Sequence, residues 1–182
     1  MASNNTTRGK PMKKWLTGIL GVVVAVFVGF ELMDTFQESQ DREPIRTMQA
    51  TDFTLPTLTG DEMSLSSEKG KVVILNFWAS WCEPCNMEMP HLQSFYEKHQ
   101  SDVEILAVNV TSKDSEAAVK KFVDRYDLTF PILLDASGEI STMYGAFSIP
   151  TTIILNRNGE IEQEIAGPVE EELLEKYIQP SL

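Results

Sequence analysis

The fold of this chain is decided in residues 72–85, which read VVILNFWASWCEPC. The first half, Val72–Trp78, is apolar at nearly every position, which is typical of a strand buried on both faces of a sheet. The second half carries the only two cysteines of the chain, Cys82 and Cys85, and a stretch of helix-forming composition follows. The sequence therefore predicts a strand-to-helix junction that holds both sulfurs.

Two thiols at such a junction predict dithiol–disulfide exchange. A thiol at a helix N-terminus faces unpaired backbone N–H groups and the positive end of the helix dipole, which lower its pKa and favour the reactive thiolate. Cys82 is therefore the predicted nucleophile and the more exposed sulfur. Cys85, one turn into the helix, is the predicted resolving thiol that attacks the mixed disulfide and releases the product.

Two other uses of the cysteines stay open, a static disulfide and a zinc site. The only histidines, His91 and His99, lack the spacing of a zinc finger, so zinc is the weaker alternative. We expect no metal, and no cofactor beyond the redox-active Cys82–Cys85 disulfide.

Length and composition indicate one globular domain. The chain has 182 residues, of which 42 % are hydrophobic, and a domain of this size can stabilise itself through its core without a disulfide scaffold. The formal net charge is −12, although the first 14 residues are basic. An acidic surface repels phosphates and argues against nucleic acid as a partner, and otherwise serves solubility or a basic partner.

The N-terminus predicts a membrane anchor. Residues 15–30 carry no charge, follow two lysines and precede Glu31. Extended to residue 33, they predict a transmembrane signal-anchor, short for a hydrocarbon core of about 30 Å but accommodated by local thinning of the bilayer. The basic flank predicts that residues 1–14 stay in the cytoplasm and that everything after Asp34 lies outside, in an oxidising compartment.

A cleaved signal peptide is the alternative, although residues 27–29 (FVG) make a poor cleavage site. Residues 34–49 are polar and predict a tether. Residues 50–182 are the predicted domain, with an N-terminal hairpin from residues 54–58 and 63–65. Further predicted strands are 103–110, 131–134, 151–155 and 160–166, and predicted helical segments are 83–98, 115–126, 140–147 and 169–178. Strands that alternate with helices predict an α/β fold, a central mixed β-sheet flanked by helices.

Two motifs resemble the thioredoxin superfamily. Residues 76–85 (NFWASWCEPC) resemble its active-site segment, and residues 148–152 (SIPTT) resemble the loop whose proline is cis and faces the dithiol. The opening DFTL at 52–55, a central βα insertion and the anchor narrow the resemblance to the ResA/TlpA group of membrane-tethered thiol-disulfide oxidoreductases, with the ResA branch nearest. The resemblance covers about residues 50–180. It implies a thioredoxin-like fold with an N-terminal β-hairpin and a central βα insertion, preceded by one transmembrane helix.

The resemblance also assigns site residues. It implies an active-site motif that includes Trp81, Glu83 and Pro84, and a substrate-binding loop of Ile149, Pro150 and Thr151 in which Pro150 is cis. Glu83 stands where ordinary thioredoxin has glycine, and a carboxylate beside Cys82 disfavours the thiolate.

Asn76 is a second departure, because ordinary thioredoxin has a buried aspartate there as proton acceptor. Asparagine cannot take a proton. The resemblance therefore makes Glu88, one turn beyond Cys85, the candidate that modulates the thiol pKa values or accepts the proton. A surface position for Glu88 is the alternative.

The sequence also predicts the places of two indoles and of four core side chains. Trp78 and Trp81 are predicted to bracket the approach to the dithiol, with packing as the alternative. The predicted core residues are Phe53, Phe77, Val108 and Ile154.

The resemblance implies partners that composition and spacing do not identify. The implied substrate is the disulfide of an apocytochrome c Cys-x-x-Cys-His site, which is reduced so that haem can attach. The implied electron donor is a membrane thiol conduit. A monomer is the default expectation. The alternatives are a reductase for another envelope or spore-assembly substrate, a disulfide-forming oxidase and a non-enzymatic peptide-binding module. A peroxidase is disfavoured, because peroxide chemistry needs a different nucleophile setting.

Overall fold

The computed structural model describes residues 48–181, and these form strands and helices in alternation. In chain order they are β1 (Met48–Gln49), β2 (Thr54–Pro56), β3 (Glu62–Ser64), β4 (Val72–Trp78), α1 (Glu83–His99), β5 (Val103–Asn109), α2 (Glu116–Tyr126), β6 (Ile132–Leu134), α3 (Glu139–Met143), β7 (Thr151–Leu155), β8 (Glu160–Ala166) and α4 (Glu171–Ile178). Two 3-10 turns, Leu65–Glu68 and Thr111–Lys113, follow β3 and β5.

Strand β4 lies inside a six-stranded mixed sheet of order β1-β8-β7-β4-β5-β6. It runs parallel to β5 and antiparallel to β7. Every residue of β4 and β5 is buried. The apolar runs that predicted these two strands therefore have the burial that the pattern indicates.

Helices cover both faces of the sheet, as predicted. Helices α1, α2 and α4 pack on one face, where Ile74 of β4 belongs to the same core cluster as Phe95 and Leu174. The hairpin β2–β3 and the short helix α3 cover the other face, where Phe77 and Phe53 pack near Tyr144. The predicted core residues are buried: Phe53, Phe77, Val108 and Ile154.

Two local signals set the N-terminus of α1. Cys82 is the residue that caps the helix, and a proline in the first turn, Pro84, needs no N–H partner there. Pro90 lies inside α1 and does not end it, since the helix continues to His99. The side chains of the first turn therefore project from a fixed helix end.

Element boundaries differ from the sequence prediction in several places. The helical segment predicted at residues 140–147 is the shorter helix Glu139–Met143. Met48–Gln49, assigned to the tether, pair antiparallel with Ile161 and Glu160 of β8, so strand pairing begins before residue 50. A run this short shows no strand periodicity in the sequence. The closing helix begins at Glu171 instead of Val169, whose backbone N–H donates to the Glu88 side chain.

The predicted cytoplasmic segment 1–14, the signal-anchor 15–33 and most of the tether 34–49 lie outside the described residues. Within residues 48–181, no helix combines the length and the apolar character that a membrane span requires.

Candidate active site

The junction of β4 and α1 brings the two cysteines together. Cys82 and Cys85 form a disulfide, with their Cα atoms 5.3 Å apart. The backbone N–H of Cys85 donates to Cys82 Sγ over 3.3 Å. Cys82 is 4 % exposed and Cys85 is fully buried, so Cys82 is the sulfur nearer to solvent.

The first turn of α1 directs one backbone donor, the Cys85 N–H, at Cys82 Sγ. Cys82 caps the helix, and the exposed residues Glu83 and Pro84 follow it. A thiolate formed at this position on reduction lies at the positive end of the helix dipole. The Glu83 carboxylate, which accepts a 3.5 Å hydrogen bond from Asn86 Nδ2, adds a negative charge close by.

Glu88 lies inside the protein, so the surface alternative is wrong. Its side chain is fully buried and accepts two hydrogen bonds, from Asn76 Nδ2 at 2.8 Å and from the Val169 backbone N–H at 3.1 Å. Burial raises the pKa of Glu88 to about 7, because these bonds only partly offset the lost hydration of the carboxylate. A carboxyl group one turn beyond Cys85 therefore exchanges its proton near neutral pH.

Asn76 supplies the one side-chain donor among the two hydrogen bonds that the described residues make to Glu88. Its Nδ2 donates both to Glu88 and to Thr152 Oγ1, the latter over 3.1 Å. Its Oδ1 is buried and has no hydrogen-bond partner in the described part of the chain. The sequence identified Asn76 only as a missing acid; its role as the direct partner of Glu88 was missed, although a polar residue in an apolar strand was the available signal.

The loop before β7 lies at the same end of the sheet as the dithiol. Its Ile149–Pro150 peptide bond is cis. Thr151 pairs with Phe77, near the end of β4, and its Oγ1 donates to the Ser148 carbonyl over 2.7 Å. The Pro150 carbonyl accepts a 2.9 Å hydrogen bond from the Gly167 N–H, which ties this loop to the end of β8.

The two indoles that were predicted to bracket the site lie in different places. Trp81 is 59 % exposed, and its Nε1 donates to the Lys113 carbonyl over 2.8 Å. Trp78 is fully buried against Phe122, so it does not line the approach. Its position in β4 turns it towards α1 and α2. The sequence missed Phe147, which is 81 % exposed and directly precedes the loop at 148–151.

Metal chemistry has no visible ligand set in the described part of the chain. Residues 48–181 contain no group of three or more His, Cys, Asp or Glu side chains arranged to hold an ion. His99 instead lies 2.8 Å from Glu175, between α1 and α4.

Comparison with known proteins agrees with this site. Residues 47–164 match the AhpC/TSA family. The thioredoxin-like protein YneN of Bacillus subtilis is 41 % identical over 168 residues, which cover 92 % of this chain and 98 % of that protein. The thiol-disulfide oxidoreductase ResA of Bacillus cereus is 37 % identical over 161 residues, 88 % of this chain and 91 % of ResA.

Among solved structures, StoA from Bacillus subtilis aligns with a TM-score of 0.64 and 38 % identity, over 71 % of this chain and 97 % of StoA. The sheet order, the paired cysteines after β4 and these relatives agree with one another. The chain belongs to the AhpC/TSA family and is a thiol-disulfide oxidoreductase of the ResA/StoA type with a thioredoxin-like fold.

Proposed function

We propose that this protein reduces disulfides of extracytoplasmic proteins, and that its physiological substrate is the Cys-x-x-Cys-His disulfide of apocytochrome c. The observation that carries the proposal is the pairing of a dithiol at a helix N-terminus with a buried carboxyl group one turn below it. The substrate follows from the similarity to ResA and from the predicted anchor.

The exchange takes place in two steps. The Cys82 thiolate attacks one sulfur of the substrate disulfide, a mixed disulfide forms, and the other substrate sulfur leaves as a thiolate that takes up a proton. The Cys85 thiolate then attacks Cys82 Sγ, which closes the Cys82–Cys85 disulfide and expels the second substrate thiolate. Two electrons pass from the enzyme dithiol to the substrate.

Glu88 takes the proton that Cys85 must lose before the second step. Cys85 is fully buried, so water cannot readily take that proton, and Glu88 is the buried carboxyl group of the same helix. Burial raises the pKa of Glu88 to about 7, which lets the group accept a proton near neutral pH and return it later.

The substrate segment docks beside the loop of Ile149, Pro150 and Thr151. Two exposed aromatic side chains, Trp81 and Phe147, precede Cys82 and this loop respectively. Exposed aromatic groups of this kind favour contact with a partner, because they gain apolar burial when a peptide covers them.

The direction of transfer and the location complete the proposal. A signal-anchor at residues 15–33 holds the domain on the outer face of the cytoplasmic membrane. A reductant in an oxidising compartment needs a supply of electrons, which a membrane thiol conduit provides. The anchor confines enzyme and membrane-bound partners to one surface and so raises their effective concentration.

Trapping tests the proposal. Cys85→Ser, expressed as the full chain in its native membrane, stops the reaction at the mixed disulfide of Cys82, and mass spectrometry identifies the captured protein. Apocytochrome c is the expected adduct, and the Cys82→Ser/Cys85→Ser double variant is the control that captures nothing. Capture of a different extracytoplasmic protein overturns the assignment of apocytochrome c as substrate and retains the thiol-disulfide exchange chemistry. No adduct from a folded variant, together with full biological activity of the double variant, favours a peptide-binding module instead.

A further inference from the structure

Asp114 is not part of the dithiol motif, but its carboxylate binds the loop that leads into Cys82. Its carboxylate accepts four hydrogen bonds. Two come from Ser80, from the backbone N–H at 2.6 Å and from Oγ at 2.7 Å. The others come from Asn109 Nδ2 at 3.1 Å and from the Ser115 N–H at 2.8 Å.

Asn109 connects Asp114 to the central sheet. Asn109 is fully buried and is the last residue of β5, where it pairs with Trp78 of β4. Its Oδ1 accepts a 3.0 Å hydrogen bond from Thr111 Oγ1, which fixes the orientation of the amide. Asp114 is therefore connected to the sheet through Asn109 and to the loop before α1 through Ser80.

Asp114 stays ionised at physiological pH. Partial burial works to raise the pKa of its carboxyl group, but the donors of Ser80, Asn109 and Ser115 outweigh burial and hold the pKa below its ordinary value. An ionised carboxylate is the stronger acceptor, so these bonds persist across the range in which the enzyme works.

A second contact from the same segment holds the next residue of the loop. The Lys113 carbonyl accepts the hydrogen bond of the Trp81 indole over 2.8 Å. Ser80 and Trp81, the two residues before Cys82, are thus both bound to residues 113–114. We call these contacts the Asp114 brace.

We propose that Asp114 is a positioning residue for the dithiol, which acts by holding the Ser80–Trp81 loop so that Cys82 Sγ stays within bonding reach of Cys85. Cys85 is fixed inside α1, so the freedom of the pair depends on Cys82 and its loop. Restricting that loop raises the effective concentration of one thiol towards the other, which favours the closed disulfide. The proposal rests on the exchange chemistry of the proposed function and not on its substrate.

The test is the equilibrium of the purified enzyme with glutathione. In this reaction two enzyme thiols and one oxidised glutathione give the enzyme disulfide and two reduced glutathione molecules. Asp114→Asn keeps the shape of the side chain but places an amide N–H₂ where one carboxylate oxygen accepted hydrogen bonds. We expect the equilibrium constant for closing the Cys82–Cys85 disulfide to fall about fivefold, as for the loss of one hydrogen bond.

Controls separate positioning from general stability. Asp124→Asn removes the same charge from an exposed position on α2 and should leave the constant unchanged. Ser80→Ala removes one of the bonds to Asp114, and its effect should not add to that of Asp114→Asn, because both act through one contact. Ser80→Ala also covers the case in which Asp114→Asn does not fold.

The outcome is independent of the trapping experiment. An unchanged glutathione equilibrium in both Ser80→Ala and Asp114→Asn, with loss of thermal stability alone, overturns the proposal and leaves a purely structural carboxylate. If the glutathione equilibrium shifts in these variants but Cys85→Ser does not trap apocytochrome c, the positioning role of Asp114 is retained and the substrate assignment is wrong.

Discussion

Asn76 and Glu88 meet inside the protein, where Asn76 Nδ2 donates to Glu88 Oε1 over 2.8 Å and both residues are fully buried. The bond joins β4 to α1 at a residue that lies one helical turn beyond Cys85. Because the donor is a neutral amide, it stabilises the Glu88 carboxylate without neutralising its charge. The pKa of Glu88 is raised to about 7 as a result of burial, so one proton is exchangeable here near neutral pH.

The first prediction concerns the stability of the oxidised protein against pH. Glu88 has its ordinary pKa of 4.5 when unfolded and a pKa of about 7 when folded. Between these values the unfolded chain loses the proton and the folded chain keeps it, so stability falls as pH rises and levels off above 7. We expect Glu88 to account for a fall of roughly 3 kcal/mol over this window, and Glu88→Gln to remove it.

Urea unfolding at several pH values measures this effect. Glu164→Gln is the matched control, since Glu164 is an exposed carboxylate on β8 and its removal should retain the slope. A slope in Glu88→Gln equal to that of the parent protein would show that Glu88 does not titrate in this range.

The fold could be predicted because its central strands are uniform in burial. Val72–Trp78 and Val103–Asn109 are apolar along almost their whole length, and only a strand covered on both faces has that pattern at that length. Strand β1 could not be predicted, because two residues carry no periodicity and pair with β8 only through the tertiary fold.

The site was predictable only where its residues are close in the sequence. Cys82 and Cys85 share one helical turn, whereas the donors to Glu88 come from 12 residues before it and 81 residues after it. No local pattern links Val169 to Glu88. The exposure of Trp81 and the burial of Trp78 likewise depend on which layer each indole meets.

A second prediction follows from replacing the neutral partner by an acid. Asn76→Asp places a carboxyl group within hydrogen-bond distance of Glu88, where two like charges cannot both be tolerated in a buried site. Near pH 5 the pair shares a proton and the cost is small. At pH 8 we expect a loss of about 3 kcal/mol or more in unfolding free energy.

Urea unfolding at both pH values tests this variant, with Asn158→Asp in the exposed turn before β8 as the control. The expected signature is a penalty that grows with pH in Asn76→Asp alone. A penalty of the same size at pH 5 and pH 8 contradicts the pairing of the two carboxyl groups.

A third prediction separates the two indoles. Trp78→Ala empties a fully buried position and should cost about 3–5 kcal/mol in unfolding free energy, whereas Trp81→Ala, at a largely exposed position, should cost less than about 1 kcal/mol. The same Trp81→Ala variant loses the proposed contact with a docked substrate and the indole hydrogen bond to the Lys113 carbonyl, so its kcat/KM for a protein disulfide should fall about tenfold. Unchanged kcat/KM in Trp81→Ala rules out a role for this indole in docking.

The fourth prediction separates stability from redox chemistry along one strand. Glu104 is a buried carboxylate that accepts hydrogen bonds from Lys71 Nζ and Tyr96 Oη, each at 2.8 Å. Lys71 directly precedes β4 and Cys82 follows its other end, and a strand of this length spans about 23 Å. Changes at Glu104 therefore act far from the dithiol.

Tyr96→Phe removes one donor and leaves the ring, so we expect a loss of about 1–2 kcal/mol in unfolding free energy. The glutathione equilibrium of the same variant should equal that of the parent protein, because the lost hydrogen bond lies at the opposite end of β4 from the dithiol. Both quantities are measured on one preparation, by urea unfolding and by quantifying oxidised enzyme in glutathione buffers. A shift of the redox equilibrium in Tyr96→Phe would mean that the dithiol responds to stability in general, and the effects expected for Asp114→Asn would then lose their local interpretation.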